Sequence, residues 1–305
     1  MSPENTTTMK KSFLPLLFTT IALGILLPIG EHLKLLLPGF LSTLLFFNFY
    51  QMTFERDHFF QPETWRYALG ALLIAPCLVF FTTGFLPTSF RHGLFLATIS
   101  PAAISGTVVV GIIGGSRELS VANIVIYNLL SPFSYTFLMG LFFHADDLYV
   151  PIRPIVTKLV LMVFVPFILS LVLKRIKRAA PLLQTLSSYT NILFLLMIFT
   201  AVSSSSLHLR TVPGNELLVL AGLVFMIAGG FYLFGFLMGT RPASGKALIV
   251  NLGQKNHSLC IWLALSNFGP LAAVPPTIYI IVQHIYNSLL MYIVSRQKTE
   301  SAAKT

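Results

Sequence analysis

The chain has 305 residues, 55% hydrophobic and 10% charged, with a mean hydropathy of +0.80 and a formal net charge of +10. A soluble domain carries roughly 25% charged residues because its surface faces water, so this composition excludes a water-soluble globule. The positive charge does not indicate a nucleic-acid partner either: the basic residues lie between long apolar runs and read as juxtamembrane lysines and arginines.

A bilayer core of about 30 Å needs about 20 mostly apolar residues per helix. Taken in order, the apolar runs predict ten spans, near 13–28, 35–53, 67–86, 92–115, 119–143, 152–173, 184–206, 215–238, 244–267 and 271–294. The connections are short and carry turn residues such as Pro87, Pro151, Pro181 and Pro213, which leaves no room for a soluble domain. Residues 1–12 and 296–305 are then tails. The aromatic cluster Phe46, Phe47, Phe49 and Tyr50 in the second span is expected to face lipid. Cys77 and Cys260 lie inside apolar runs and have no ligand spacing, so no metal site is expected. No nucleophile–base pair or phosphate loop stands out, and neither an enzyme nor a cofactor is expected.

Orientation follows from charge. One side collects Lys10, Lys11, Arg56, Arg66, Arg117, Lys174, Arg175, Lys177, Arg178, Arg241, Lys246, Arg296, Lys298 and Lys304; the other holds Lys34, Arg91, Arg153, Lys158 and Arg210. The positive-inside bias puts both termini in the cytoplasm of a multi-pass protein of the cell inner (plasma) membrane. One basic residue belongs to neither side. It is Lys255.

Two spans are interrupted. The fourth contains Pro101, Ser105-Gly106-Thr107 and Gly114-Gly115; the ninth reads VNLGQKNHSLC over 250–260. Proline removes a backbone donor and glycine leaves a helix easily. Polar, irregular backbone at membrane depth survives only when buried in protein or lining a wet cavity. The broken spans are five apart, an odd number, so residues 13–145 and 150–295 would form two five-helix repeats of opposite orientation. Matching interruptions in two halves point to a transporter binding site.

The stretch SPAAISGTVVVGIIGGSRELSV (100–121) resembles the CPGGTASNV segment and following ALSV of the bile acid:sodium symporter family, in its ten-span bacterial form. NLLSP (128–132) also matches in type and spacing. VNLGQKNHSL resembles that family's EVGMQNSGL, and VQHIYNSLL (282–290) its final-helix histidine motif. The resemblance implies an all-α polytopic fold, a panel of helices beside a core whose discontinuous fourth and ninth helices cross. It also implies sodium-coupled uptake of bile acids or smaller organic acids.

The departures from the family are concentrated at its sodium sites. The Ser-Asn pair of the first site corresponds to Gly106 and Thr107 here. Ser120 is retained, but the Thr four residues on is Ile124. The shared carboxylate becomes Asn251, the Gln of the second site becomes Lys255, and Asn256 is kept. Sodium needs several oxygen ligands and a compensating charge. All ten acids (Glu4, Glu31, Glu55, Asp57, Glu63, Glu118, Asp146, Asp147, Glu216 and Glu300) are expected in loops or tails. An ammonium about 4 Å from Na⁺ repels it by about 4 kcal/mol at an effective dielectric near 20. Sodium is therefore expected not to bind.

A lysine at mid-membrane costs roughly 2.5–3.5 kcal/mol on insertion scales and is functional by default. Lys255 can stand in for the sodium ions, pair with an anionic substrate, or exchange a proton during the cycle; the bland alternative is a side chain in a wet crevice with no role. Ser105, Gln254, Asn256, His257, Ser258, His284 and Asn287 are the candidates for the substrate side of the crossing, with His257 and His284 equally readable as neutral donors bridging helices. The helix N-termini at the break attract anions. Asn48, Asn191 and the run Ser203–Ser206 read as helix–helix hydrogen bonding. The expected function is sodium-independent transport of small organic anions by alternating access. The alternatives are a sodium symporter with altered ligands, or a membrane receptor that binds its ligand without moving it.

Overall fold

The structure, a computed structural model, describes residues 3–52, 61–103, 105–143 and 152–302. Glu55, Asp57, Asp146 and Asp147 lie outside the described residues. These form fifteen α-helices, joined by short 3₁₀ and π turns. In chain order they are α1 (Pro3–Leu26), α2 (Gly30–Leu33), α3 (Leu37–Gln51), α4 (Pro62–Leu69), α5 (Ala75–Thr82), α6 (Thr88–Ile99), α7 (Gly106–Ile113) and α8 (Arg117–Phe143). The second half comprises α9 (Ile152–Lys174), α10 (Ala180–Ser187), α11 (Thr190–Leu209), α12 (Gly214–Met238), α13 (Pro242–Gly253), α14 (His257–Asn267) and α15 (Val274–Ala302).

Among the described residues, six stretches are long and apolar enough to cross a bilayer: Pro62–Thr82, Arg117–Phe142, Arg153–Lys174, Thr190–Leu209, Gly214–Met238 and Pro270–Val294. The chain is thus a multi-pass, all-helical membrane protein. The first of these joins α4 to α5 through a π turn, Gly70–Ile74. Pro76 explains the turn, because its ring clashes with the carbonyl four residues back and widens the helix there. Helices α6, α7, α13 and α14 have 12, 8, 12 and 11 residues. At 1.5 Å per residue none of them can span about 30 Å by itself.

Helices α1, α3, α9 and α11 pack on one another, α1 along α11 and α3 along α9. The serine run joins this group to its neighbours. Ser203 Oγ accepts from Gly30 N–H at 2.8 Å and donates to Leu27 O, while Ser205 Oγ donates to Pro270 O at 2.7 Å. The aromatic cluster of α3 differs from expectation: Phe46, Phe47 and Phe49 are buried. Phe49 meets Phe167 of α9 edge-to-face at 5.1 Å, and Leu183 of α10 covers Phe46 and Phe47. Protein replaced lipid as their apolar neighbour.

Helices α12 and α13 approach so closely that only glycine fits. A Cβ on Gly235 would lie 2.5 Å from Leu248 O and 2.6 Å from Ile249 Cα, and one on Gly239 would lie 2.3 Å from Gly245 Cα. The acids also sit differently from the loops expected of them. Glu63, Glu118 and Glu216 occupy the first turns of α4, α8 and α12, where free N–H groups and the helix dipole favour a carboxylate. Glu63 is buried and accepts a hydrogen bond from Thr240 Oγ1 at 3.0 Å.

Candidate functional site

The two sequence interruptions meet in space. Pro101 pushes Ser100 into extended backbone, φ −61° and ψ 136°, and ends α6. Gln254, at φ −99° and ψ 103°, ends α13 in the same way. Ala102 and Lys255 then form an isolated antiparallel bridge. Ala103 N–H donates to Gln254 O at 2.9 Å and Asn256 N–H to Pro101 O at 2.7 Å. Ser100 Oγ adds a bond to Asn256 O at 2.6 Å. Each break thus satisfies backbone groups that the other frees, as burial away from water requires.

Extended backbone sends successive side chains to opposite sides. Gln254 and Asn256 go one way: Gln254 Nε2 donates to Ser105 Oγ at 2.7 Å, and Asn256 Nδ2 to Asn128 Oδ1 at 3.2 Å. Asn128, on α8, donates in turn to Ala102 O at 3.2 Å and Ile124 O at 2.8 Å. Gly106 abuts this group, since a Cβ there would lie 3.4 Å from Gln254 Oε1. Thr107, in the first turn of α7, is half-buried. Ser120 Oγ donates to Asn251 Oδ1 at 2.8 Å, which ties α8 to α13. Ile124 is fully buried and its side chain offers no oxygen.

Lys255 goes the other way. Its side chain is 1% exposed, and Nζ stands 4.7 Å from the ring centroid of Phe231 on α12, a cation–π distance. Its backbone N–H donates to Gln283 Oε1 of α15 at 3.0 Å. Among the described residues Nζ has no hydrogen-bond partner. Both ring nitrogens of His257 are also buried without a hydrogen-bond partner among the described residues, and its ring lies 4.4 Å from that of Tyr279. Tyr279 donates to Gly253 O at 3.2 Å. Ser258 is buried in the first turn of α14. On α15, His284 is half-buried, and Asn287 is buried and accepts from Tyr232 Oη at 2.8 Å.

The structure therefore brings the expected residues to one region in two groups. Ser105, Gly106, Ser120, Asn251, Gln254 and Asn256 lie toward α7 and α8, while the contacts of Lys255 and His257 lie toward α12 and α15. In a continuous helix Asn251 and Lys255 would share a face. That relation is lost because α13 stops at Gly253. Sequence reasoning gave no role to Phe231, Tyr232, Tyr279, Gln283 or Asn123. Gln283 and Asn123 were open to detection as amides inside spans. Asn123 is fully buried with neither amide atom partnered among the described residues. The aromatic residues carry no such signal.

Asn128 connects both breaks to α8. Asn128→Ala is expected to lower stability by about 2–3 kcal/mol, because it removes three bonds and leaves the buried Asn256 amide and Ala102 carbonyl short of a partner. Thermal unfolding in detergent measures it; a shift equivalent to under about 0.5 kcal/mol, the level of an ordinary surface change, would show that water replaces the amide.

Among the described residues, no three His, Cys, Asp or Glu side chains gather as metal ligands. Residues 11–296 match the SBF-like CPA transporter family. The chain is similar to the uncharacterized sodium-dependent transporter YocS of Bacillus subtilis (strain 168), at 28% identity over 255 residues, 78% of this chain and 77% of that protein. It is also similar to the uncharacterized protein YbaS of the same organism, at 25% identity over 216 residues, 67% of this chain and 68% of the relative. With the match extending over nearly the whole chain and including both interruptions, this protein belongs to the SBF-like CPA transporter family.

Proposed function

We propose that the protein is a secondary transporter of small organic anions that works by alternating access without sodium, with Lys255 as the positive pole of its substrate site. The supporting observation is a buried ammonium, unpartnered among the described residues, beside the point where two interrupted helices pair. A buried charge without a partner is costly, and an anionic substrate supplies the partner. His257, whose ring nitrogens have no hydrogen-bond partner among the described residues, can turn an N–H toward it, and the N-terminus of α14 offers further donors. The amide Asn251 in place of a carboxylate removes the charge that would offset dehydration of sodium.

The same reading takes α6–α7 and α13–α14 as the crossing fourth and ninth spans. With α1, α2–α3 and the six long stretches they give ten spans in two inverted repeats, residues 13–145 and 150–295. Helices α1, α3, α9 and α11 serve as the panel against which the rest moves, and both termini are cytoplasmic. Substrate flux measured as counterflow in proteoliposomes with labelled carboxylic acids should be unchanged when choline replaces sodium. Strict sodium dependence would overturn the mechanism.

A second reading, a sodium symporter with altered ligands, draws on the similarity to the sodium-dependent transporter YocS and on Ser120, bonded to Asn251. The sodium arm of the same experiment distinguishes it. Ligand binding with no counterflow under any gradient would favour a receptor.

A further inference from the structure

One long apolar stretch ends at Lys174 and the next begins at Thr190, so residues 175–189 stay at a single membrane surface. The segment opens with Lys174-Arg175-Ile176-Lys177-Arg178. Lys174 turns inward and donates to Phe49 O at 2.8 Å and to Met52 O, closing the C-terminus of α3. Arg175, Lys177 and Arg178 remain exposed, with no ion pair among the described residues.

The apolar side chains here are divided. Leu183 is buried against Phe46 and Phe47 and fixes α10 to α3. Leu182, Leu186 and Tyr189, spaced four and three residues apart, are exposed, as is Ile176. Such spacing forms one stripe. Three free cations beside an exposed apolar stripe, at a membrane boundary, have the chemistry of an interfacial segment whose apolar face enters the acyl region while its cations meet phosphate.

We propose that α10 and the Arg175–Arg178 segment form a binding site for anionic phospholipid, which anchors the α3–α9–α11 side of the protein in the bilayer. The occupant is a lipid because the stripe and the charges adjoin: a free phosphate would leave Leu182 and Leu186 facing water. This inference does not depend on the substrate or on sodium.

Native mass spectrometry of the full chain released from nanodiscs of equal phosphatidylglycerol and phosphatidylcholine tests it. Wild type should retain phosphatidylglycerol preferentially. At about fivefold per charge, R175Q/K177Q/R178Q should retain it about a hundredfold less tightly. R153Q/K158Q/R210Q, which removes equal charge elsewhere, should match wild type. L182S/L186S should lose both lipids at this site. Equal retention of the two lipids by wild type, or equal loss in both charge variants, overturns the site. A readout independent of any variant is salt: raising it should release phosphatidylglycerol from wild type and spare phosphatidylcholine, and indifference to salt overturns the proposal.

Discussion

Replacing Lys255 by methionine should abolish counterflow and at the same time make the protein more stable. Losing one partner of a buried, desolvated charge pair costs roughly 3 kcal/mol, which is about a hundredfold in substrate affinity. Without substrate, however, the ammonium has no hydrogen-bond partner among the described residues and only the face of Phe231 beside it. Methionine keeps an unbranched stem of similar length, fills the same space and makes favourable sulfur–aromatic contact. Removing the unpaired charge should then raise stability by about 1–3 kcal/mol, read as a higher Tm in detergent. The two signs together are diagnostic. Loss of both transport and stability would mean that Lys255 holds the fold, and transport near wild type would leave the ammonium without a role.

Gly235→Ala should be among the most damaging single-methyl changes in the α12–α13 interface. The added carbon would lie 2.5–2.7 Å from three backbone atoms of Leu248 and Ile249, and backbone in a packed helix cannot swing aside as a side chain can. Overpacking of this kind costs about 3 kcal/mol, and the relief available is for α13 to move outward as a body. Helix α13 carries Asn251 and leads into Gln254 and Lys255, so transport should fall with stability. Gly222 and Gly230 supply the control on the same helix, because a Cβ at either meets nothing within 4 Å. Their alanine variants should stay within about 0.5 kcal/mol of wild type or gain slightly from helix propensity. If Gly235→Ala unfolds at the wild-type temperature while keeping full transport, α12 and α13 are not held as closely as the structure shows.

The place of the two breaks was legible in the sequence because its causes are local. Pro101 restricts Ser100, and the polar run from Gln254 to Ser258 has no place on a lipid-facing helix. The partners of the breaks were not legible in the same way. Asn128 lies 128 residues from the Asn256 amide it accepts from, and no local pattern connects them. The first-turn acids show an intermediate case: Glu63, Glu118 and Glu216 are expected in loops, yet the helices begin just before them, since a carboxylate extends a helix N-terminus by offsetting its partial positive charge.

The sequence by itself determined that lipid is the solvent, that the chain crosses it repeatedly, and that one lysine interrupts an apolar run. Those properties are sums over neighbouring residues, so a linear chain carries them. Only the tertiary structure decided which way Lys255 points and what covers Phe46, Phe47 and Phe49. Side-chain direction at a helix break turns on the single residue at which the helix stops. Hydropathy, in turn, cannot separate lipid from protein as a neighbour, because both are equally apolar.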